Sequence, residues 1–388
     1  MDDRKDLRGA TLVAALGRIA GAARSLGTPK PGDIELSPAA LRVHFSDQFK
    51  PEPVVYWADM LASAAIGWGA FALAATRSLL DPVGFVATVV AMLALYRAAL
   101  FIHELSHLGR GAIPGFEAVW NVLVGIPMMV PSLMYVGSHN EHHKKAVFGT
   151  PQDPEYDPIA FWSPSRIVLS TATVLFVPAL LLFRWGILGP LSSVIPPLRK
   201  IVVEQASTLV INTSYHRAMP TDDRMRMRWF LQETGAAIFC WSMAVAMFTG
   251  VIPVSLLVTW YLVAVGLLMV NHVRTLAAHR YDNDGGELDD AAQLLDSVNV
   301  IGPPWLTALA APVGLRYHAL HHLLPALPYH SLGRVHRALM AGLPADSDYR
   351  LTEARGIIPA TVDLLERAAR HRAAVAATGS GQYPSAPM

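Results

Sequence analysis

Three histidine clusters are the residues of this sequence whose type and spacing could do chemistry. Eight of the 15 histidines lie in them, as His103-x-x-x-His107, His139-x-x-His142-His143 and His318-x-x-His321-His322. Spacings of three and four residues place side chains on one face of a helix, so each cluster can direct two or three imidazoles toward one point. Imidazole is a ligand for iron, zinc, copper and nickel. The clusters therefore predict a metal site, and eight imidazoles exceed the four ligands of a structural zinc site, which implies a dinuclear centre.

The composition indicates that this centre lies beside lipid. The chain is 53% hydrophobic and 16% charged, with a mean hydropathy of +0.35, which is far more apolar than a soluble protein. Among two-metal sites beside lipid, iron fits best because it can activate O2, so we expect two iron ions (Fe2+/Fe3+) and O2 as co-substrate. The net charge of +1 gives no basic domain for nucleic acid, and we expect no such partner. The single cysteine, Cys240, excludes an intrachain disulfide and a cysteine-ligated cluster.

Six apolar runs approach the roughly 20 residues that a membrane span needs. They cover residues 60–79, 83–102, 116–136, 167–188, 229–250 and 252–270. Histidine clusters follow the second and third runs, and they must share one side of the membrane if they share a site. We therefore expect the third run, which contains Pro127 and Pro131, to dip into the membrane and return or to lie at its interface. The same is expected of the fourth run, which contains Pro178 and Arg184.

The remaining four runs predict an all-α integral membrane fold, with four transmembrane helices in two hairpins and a cytoplasmic helical cap that carries the histidines. Lys and Arg are concentrated in residues 1–57 and 199–228, so the positive-inside rule places both termini and every cluster in the cytoplasm. We expect a cytoplasmic N-terminal segment at 1–53, a membrane catalytic domain at 54–343, and a C-terminal cytoplasmic helix with a disordered tail at 344–388. That tail is expected to begin near Ala373.

The three clusters, in this order, resemble the histidine boxes of the membrane fatty-acid desaturase family, which also includes lipid hydroxylases. The segment HHLLPALPYHSL from His321 to Leu332 is similar to the third box, and the resemblance extends over residues 54–343. The segment TLAAHRY from Thr275 to Tyr281 resembles a further ligand motif of the family and implies that His279 is a ninth ligand. The implied metal ligands are His103, His107, His139, His142, His143, His279, His318, His321 and His322.

Six further residues could support these ligands. Asn271 and His272 lie near His279 on the sequence, and Thr275 stands where some family members have an asparagine four residues before that histidine. The acidic stretch after the second box contains Asp153, Glu155 and Asp157, and carboxylates commonly orient metal-bound imidazoles through the ring N–H. An ordinary polar loop explains this stretch equally well.

The resemblance implies O2-dependent oxidation of a lipid C–H bond, with desaturation of a fatty-acyl chain as the leading reaction. Hydroxylation of a fatty-acyl chain, another lipid or an alkane on the same site is the alternative. The sequence shows neither a cytochrome-like heme segment nor a cysteine set, so a separate electron donor of the ferredoxin or cytochrome b5 type is expected. The expected location is the bacterial inner membrane.

Two other classes of protein compete with this interpretation. His103-Glu104-Leu105-Ser106-His107 matches the H-E-x-x-H motif of zinc peptidases, with Asp284 as a candidate third ligand. That reading leaves the other clustered histidines without a purpose, and Asp284 lies in a polar stretch. A non-enzymatic metal-binding membrane protein is the other class. Transporters place coordinating groups near the middle of their spans, whereas these clusters lie at the ends.

Overall fold

The computed structural model describes residues 34–378, and it is mostly helical. Residues 1–33 of the predicted N-terminal segment 1–53 and residues 379–388 of the predicted tail lie outside the described residues. The α-helices are α1 Pro38–His44, α2 Pro53–Ala75, α3 Pro82–Ala99, α4 Phe101–His107, α5 Phe116–Trp120, α6 Ser138–His142, α7 Pro164–Thr173, α8 Val177–Phe183, α9 Gly189–Val194, α10 Pro196–Ala206, α11 Asp223–Phe248, α12 Val254–Leu276, α13 Asp290–Asp296, α14 Pro304–Ala310, α15 His318–Leu323, α16 Tyr329–Gly342, α17 Asp348–Leu351 and α18 Ile357–Thr378. Two short strands, β1 Asn299–Val300 and β2 Glu353–Ala354, pair in parallel.

Five helical segments are long and apolar enough to cross a membrane. They are Pro53–Ala75, Pro82–His107, Pro164–Val194, Asp223–Phe248 and Val254–Leu276. The prediction of a helical membrane protein is confirmed, and length and composition give five candidate spans where four were expected. The additional one, Pro164–Val194, contains the fourth apolar run, which was expected to dip into the membrane and return or to lie at its interface.

In each of two helical hairpins, the C-terminal end of the second helix lies near the histidines. Helices α2 and α3 are joined by residues 76–81, where the Asp81 side chain accepts from the Val83 N–H and so caps α3. Helices α11 and α12 are joined by residues 249–253. The hairpins pack through α3 and α12, where a Cβ on Gly266 would lie 2.5 Å from the Met92 sulfur and would require the methionine side chain to move. The C-terminal ends of both helices therefore reach the same region.

The third apolar run is interrupted, as its prolines predicted. The apolar helix Phe116–Gly125, whose second half is a π-helical turn at Asn121–Gly125, is shorter than a candidate span. A 3-10 turn at Ser132–Met134 follows Pro131. The backbone groups freed by this break find partners in neighbouring helices, since Trp260 Nε1 donates to the Pro127 carbonyl at 2.9 Å.

The segment Pro164–Val194 also contains breaks in regular α-helix. A 3-10 turn occupies Val174–Phe176 and a π-helical turn occupies Arg184–Leu188. Arg184 is buried, and its guanidinium pairs with Glu233 of α11 at 2.8 Å.

The chain beyond α12 forms the cap on this end of the hairpins. The β1–β2 pair joins residues 299–300 to residues 353–354, and helix α18 packs against the Ile159–Phe161 turn and α12. Helix α18 continues to Thr378, so the expectation that disorder begins near Ala373 is wrong for residues 373–378. The apolar face of α18, with Leu364 and Ala368, is buried in the earlier part of this helix.

Candidate metal centre

The nine histidines named from the sequence come together in two adjacent groups. The first group is His103, His107, His139, His143 and His321, and the second group is His142, His279, His318 and His322. Within each group, one nitrogen of every ring lies within 4.8 Å of one nitrogen of every other ring. Each group can therefore surround one ion.

Helical spacing explains how the boxes divide between the groups. The pairs four residues apart, His139 with His143 and His318 with His322, each stay in one group. The remaining member of each box, His142 or His321, belongs to the opposite group. Helices α6 and α15 thus lie between the two groups and contribute to both.

The nitrogen positions fit metal coordination. In the first group, Nε2 of His143 lies 3.0 Å from Nε2 of His139 and 3.0 Å from Nε2 of His321. In the second group, Nε2 of His318 lies 2.8 Å from Nε2 of His279 and 3.1 Å from Nε2 of His322. Two nitrogens bound at right angles to one ion, each at about 2.0–2.1 Å, lie roughly 3 Å apart.

Buried ring nitrogens without partners support the same fit. Nε2 of His103 and Nε2 of His107 are buried and accept or donate no hydrogen bond within residues 34–378. Buried polar atoms nearly always have a partner. An ion at the centre of the first group would supply one for both rings.

A carboxylate fixes one ring of each group on the side away from the other histidines. Nδ1 of His139 lies 2.8 Å from Glu155 Oε1, and Nδ1 of His142 lies 2.8 Å from Asp153 Oδ2. Because an ionised carboxylate only accepts, Asp153 holds the proton of His142 on Nδ1 and leaves its Nε2 free for a metal. The Tyr135 hydroxyl donates to the second oxygen of Glu155 at 3.0 Å.

Asp296 is a third such carboxylate, and the sequence did not indicate it. Its Oδ2 lies 3.1 Å from Nδ1 of His279, and its Oδ1 accepts from the Tyr156 hydroxyl at 3.0 Å. Asp296 ends helix α13, 17 residues after its histidine. No local spacing connects the two residues, because the cap fold alone brings them together.

Electrostatics keep most of these rings in the neutral form that binds metal. Burial, followed by repulsion from neighbouring histidines, lowers the pKa of His139, His143, His318, His321 and His322 well below its ordinary value. Burial also lowers the pKa of His279. Burial acts on His142 in the same direction, but the Asp153, Glu155 and Asp296 carboxylates outweigh it and raise the pKa of His142. Burial raises the pKa of Glu155 to about 7.

Four of the supporting residues suggested by the sequence contact other groups. Asp157 is near Trp162 and Arg166, and burial raises its pKa. The ring of His272 faces Ser170, 3.2 Å from its hydroxyl, and His272 belongs to neither group. Asn271 and Thr275 both accept from Arg274 Nη2, at 3.0 Å each.

The geometry around the first box differs from that of a zinc peptidase. Glu104 accepts from the Tyr56 hydroxyl and from the Tyr329 backbone N–H, so neighbouring side and main chains already occupy its carboxylate. Asp284 is exposed and lies in neither group. His103 and His107 instead face three further histidines.

A largely apolar cavity lies beside the first group. Its wall includes His103 and Tyr135 together with apolar side chains of both hairpins and of the interrupted segment, such as Ile102, Leu267 and Val124. Such a cavity can hold a hydrocarbon chain next to the histidines and exclude water.

Comparison with known proteins agrees with this geometry. The sequence model of the family described as "Fatty acid desaturase" matches residues 80–353. A ceramide hydroxylase of Caulobacter vibrioides (strain NA1000 / CB15N) is 43% identical over 337 residues, which cover 86% of this chain and 94% of that protein.

Proposed function

Because the chain belongs to the fatty acid desaturase family and is a membrane oxidoreductase, we propose that it hydroxylates a ceramide or a closely related sphingolipid with O2. The observation that carries this proposal is its similarity to the Caulobacter ceramide hydroxylase along nearly the whole of that protein. Family membership also argues against the peptidase and the non-enzymatic interpretations.

The two histidine groups are the proposed sites of two iron ions, one in each group. When bound, the ions would supply the activation of O2 and the oxidising power needed to break an aliphatic C–H bond. Asp153, Glu155 and Asp296 would keep the protons of their histidines on Nδ1 and direct Nε2 toward the ions. The apolar cavity would hold the lipid with one C–H bond near the first group.

Hydroxylation requires electrons from outside the chain. One C–H bond becomes C–OH and the second oxygen atom of O2 becomes water, which consumes two electrons and two protons for each turnover. A separate donor, of the ferredoxin or cytochrome b5 type, remains the prediction. Desaturation of an acyl chain has the same requirement, so the donor does not distinguish the two reactions.

The positions of the histidines favour four membrane crossings. Three candidate spans lie between His142 and His279, and three crossings would place these residues on opposite sides of the membrane. Their ring centroids are only 5.3 Å apart. We propose that the interrupted helix Pro164–Val194 does not cross the membrane, so that the two hairpins supply the four crossings. By the positive-inside rule, the basic segments support a cytoplasmic side for the histidines, and the proposed location is the bacterial inner membrane.

The test is product analysis in a host that makes ceramide but lacks this enzyme. Expression of the full chain should give ceramide that has gained one oxygen atom, and 18O2 should label the new hydroxyl. A product that has only lost two hydrogen atoms would support the desaturase alternative. Purified protein should contain two irons per chain, one for each group. Zinc in place of iron, with no lipid product, would refute the proposal, and His139→Ala is the inactive control.

A further inference from the structure

Arg274 is a charged residue on the wall of the apolar cavity. It lies in the last turn of α12, and the cavity that it lines also reaches His103 and Asn271. Its Nη2 donates to Asn271 Oδ1 and to Thr275 Oγ1, at 3.0 Å each. Its Nε is buried and, among the residues that the structure describes, has no hydrogen-bond partner.

Two guanidiniums that are more deeply buried than that of Arg274 are neutralised by a carboxylate or bound by several backbone carbonyls. Arg184 pairs with Glu233 at 2.8 Å. Arg217 donates to the backbone carbonyls of Leu133, Ser207 and Val136. In the part of the chain from residue 34 to residue 378, no carboxylate forms an ion pair with Arg274. A positive charge is favourable at the C-terminal end of a helix, which explains an arginine in this turn but not its place on a cavity wall.

An unpaired charge against hydrocarbon is costly, so a mid-chain methylene would be a poor occupant of this part of the cavity. An oxygen acceptor on the ligand would satisfy the unpartnered Nε–H. Asn271 already accepts from Arg274 through Oδ1, so its amide NH2 remains available to donate to a second oxygen.

We propose that Arg274, with Asn271, binds the polar linkage of the lipid, namely the amide carbonyl of a ceramide and a neighbouring hydroxyl. This inference rests on the proposed function and adds the position of attack. Because Arg274 and His103 line one cavity, a linkage held by Arg274 places the oxidised C–H bond within a few bonds of the amide. If the reaction took place in the middle of a long acyl chain, only methylene groups would lie beside Arg274.

Binding to the full-length protein in nanodiscs is the first test. Arg274→Met should raise the Kd for ceramide by about 10- to 100-fold, because it removes charge-assisted hydrogen bonds. Arg274→Lys should fall between Arg274→Met and the unaltered protein, since lysine keeps the charge but loses the planar fork. In a competition assay, a hydrocarbon of matched length, without amide or hydroxyls, should bind the unaltered protein and both Arg274 variants with equal affinity. Arg166→Met, whose guanidinium lies over Trp162 outside the cavity, is the matched control and should bind ceramide normally.

The position of the product is the second test. Tandem mass spectrometry should place the hydroxyl of the unaltered protein's product within a few bonds of the amide, and Arg274→Lys should spread it along the chain at unchanged iron content. A hydroxyl in the middle of the chain would overturn this inference and leave the proposed function intact. So would equal ceramide affinity for Arg274→Met and the unaltered protein. Failure of the unaltered protein to oxidise any ceramide would instead refute the proposed function.

Discussion

Asp153 contacts His142 through both of its carboxylate oxygens, at 2.9 and 2.8 Å from Nδ1. The carboxylate is fully buried, and the backbone N–H groups of Gly149 and Glu155 donate to it at 2.9 and 2.8 Å. Gly149 has a φ of 73°, which favours glycine, so the turn that presents its N–H depends on this residue. The loop after the second box is therefore built around the carboxylate that orients a ring of the second group.

Asp153→Asn should weaken iron binding about 10- to 100-fold, as removal of a carboxylate behind a ligating histidine typically does. The asparagine amide would no longer hold the proton on Nδ1. Competition with a chelator of known affinity measures the change. Asp157→Asn is the matched control, because Asp157 lies in the same loop and makes its contacts near Trp162 and Arg166. Equal iron affinities for the two variants would contradict the role of Asp153.

Asp296→Asn should lower iron affinity to a similar extent by releasing His279. Tyr156→Phe should have a smaller effect, since it removes one hydrogen bond to Asp296 and leaves the carboxylate in place. Iron titration of metal-free protein, with the lipid product as a second readout, distinguishes the two. A loss from Tyr156→Phe as large as that from Asp296→Asn would show that the tyrosine acts in another way.

The contrast between Asp153 and Asp296 shows what the sequence could predict. Helical spacing identified the boxes, and the acidic loop lies close enough to the second box to suggest Asp153 and Glu155. Asp296 approaches His279 only because the backbone of residues 296–298 pairs with that of residues 278–280, and only the structure shows that Arg274 lines the cavity. Hydropathy located the apolar runs. It did not show that the fourth run belongs to a helical segment as long as Pro164–Val194. The irregular turns of that segment are supported by buried contacts between distant residues, such as that of Arg184 with Glu233, which hydropathy does not detect.

Glu233→Gln should destabilise the protein by about 3–5 kcal/mol, since it leaves the buried Arg184 guanidinium without its counter-charge. Glu233 also pairs with Arg199 at 2.7 Å, so both arginines lose a partner. Thermal unfolding in detergent should show a clearly lower Tm. The control is Asp223→Asn, which removes the exposed pair with Arg226 and should leave the Tm unchanged. Equal Tm values for the two variants would refute a structural role for the buried pair.

His321→Ala and His318→Ala should affect different ions, although the two residues lie on the same short helix. His321 belongs to the first group, which keeps four other histidines without it, and His318 belongs to the second group, which keeps only three. We therefore expect His318→Ala to lose most of one iron per chain, whereas His321→Ala should retain more metal. Both should lose lipid oxidation by at least about 100-fold, because the reaction needs both ions. Iron analysis and Mössbauer spectra of 57Fe-loaded protein would separate the two groups.

The control for this pair is His330→Ala. His330 follows the third box closely in sequence, but its Nε2 accepts from the Glu52 backbone N–H at 3.2 Å and the residue belongs to neither group. It should keep two irons and most of the activity. Loss of the same iron signal from His321→Ala and His318→Ala would contradict the division of the box. That division follows from the angle of about 100° between successive residues of a helix, which turns His318 and His322 to one face and His321 toward the neighbouring ion.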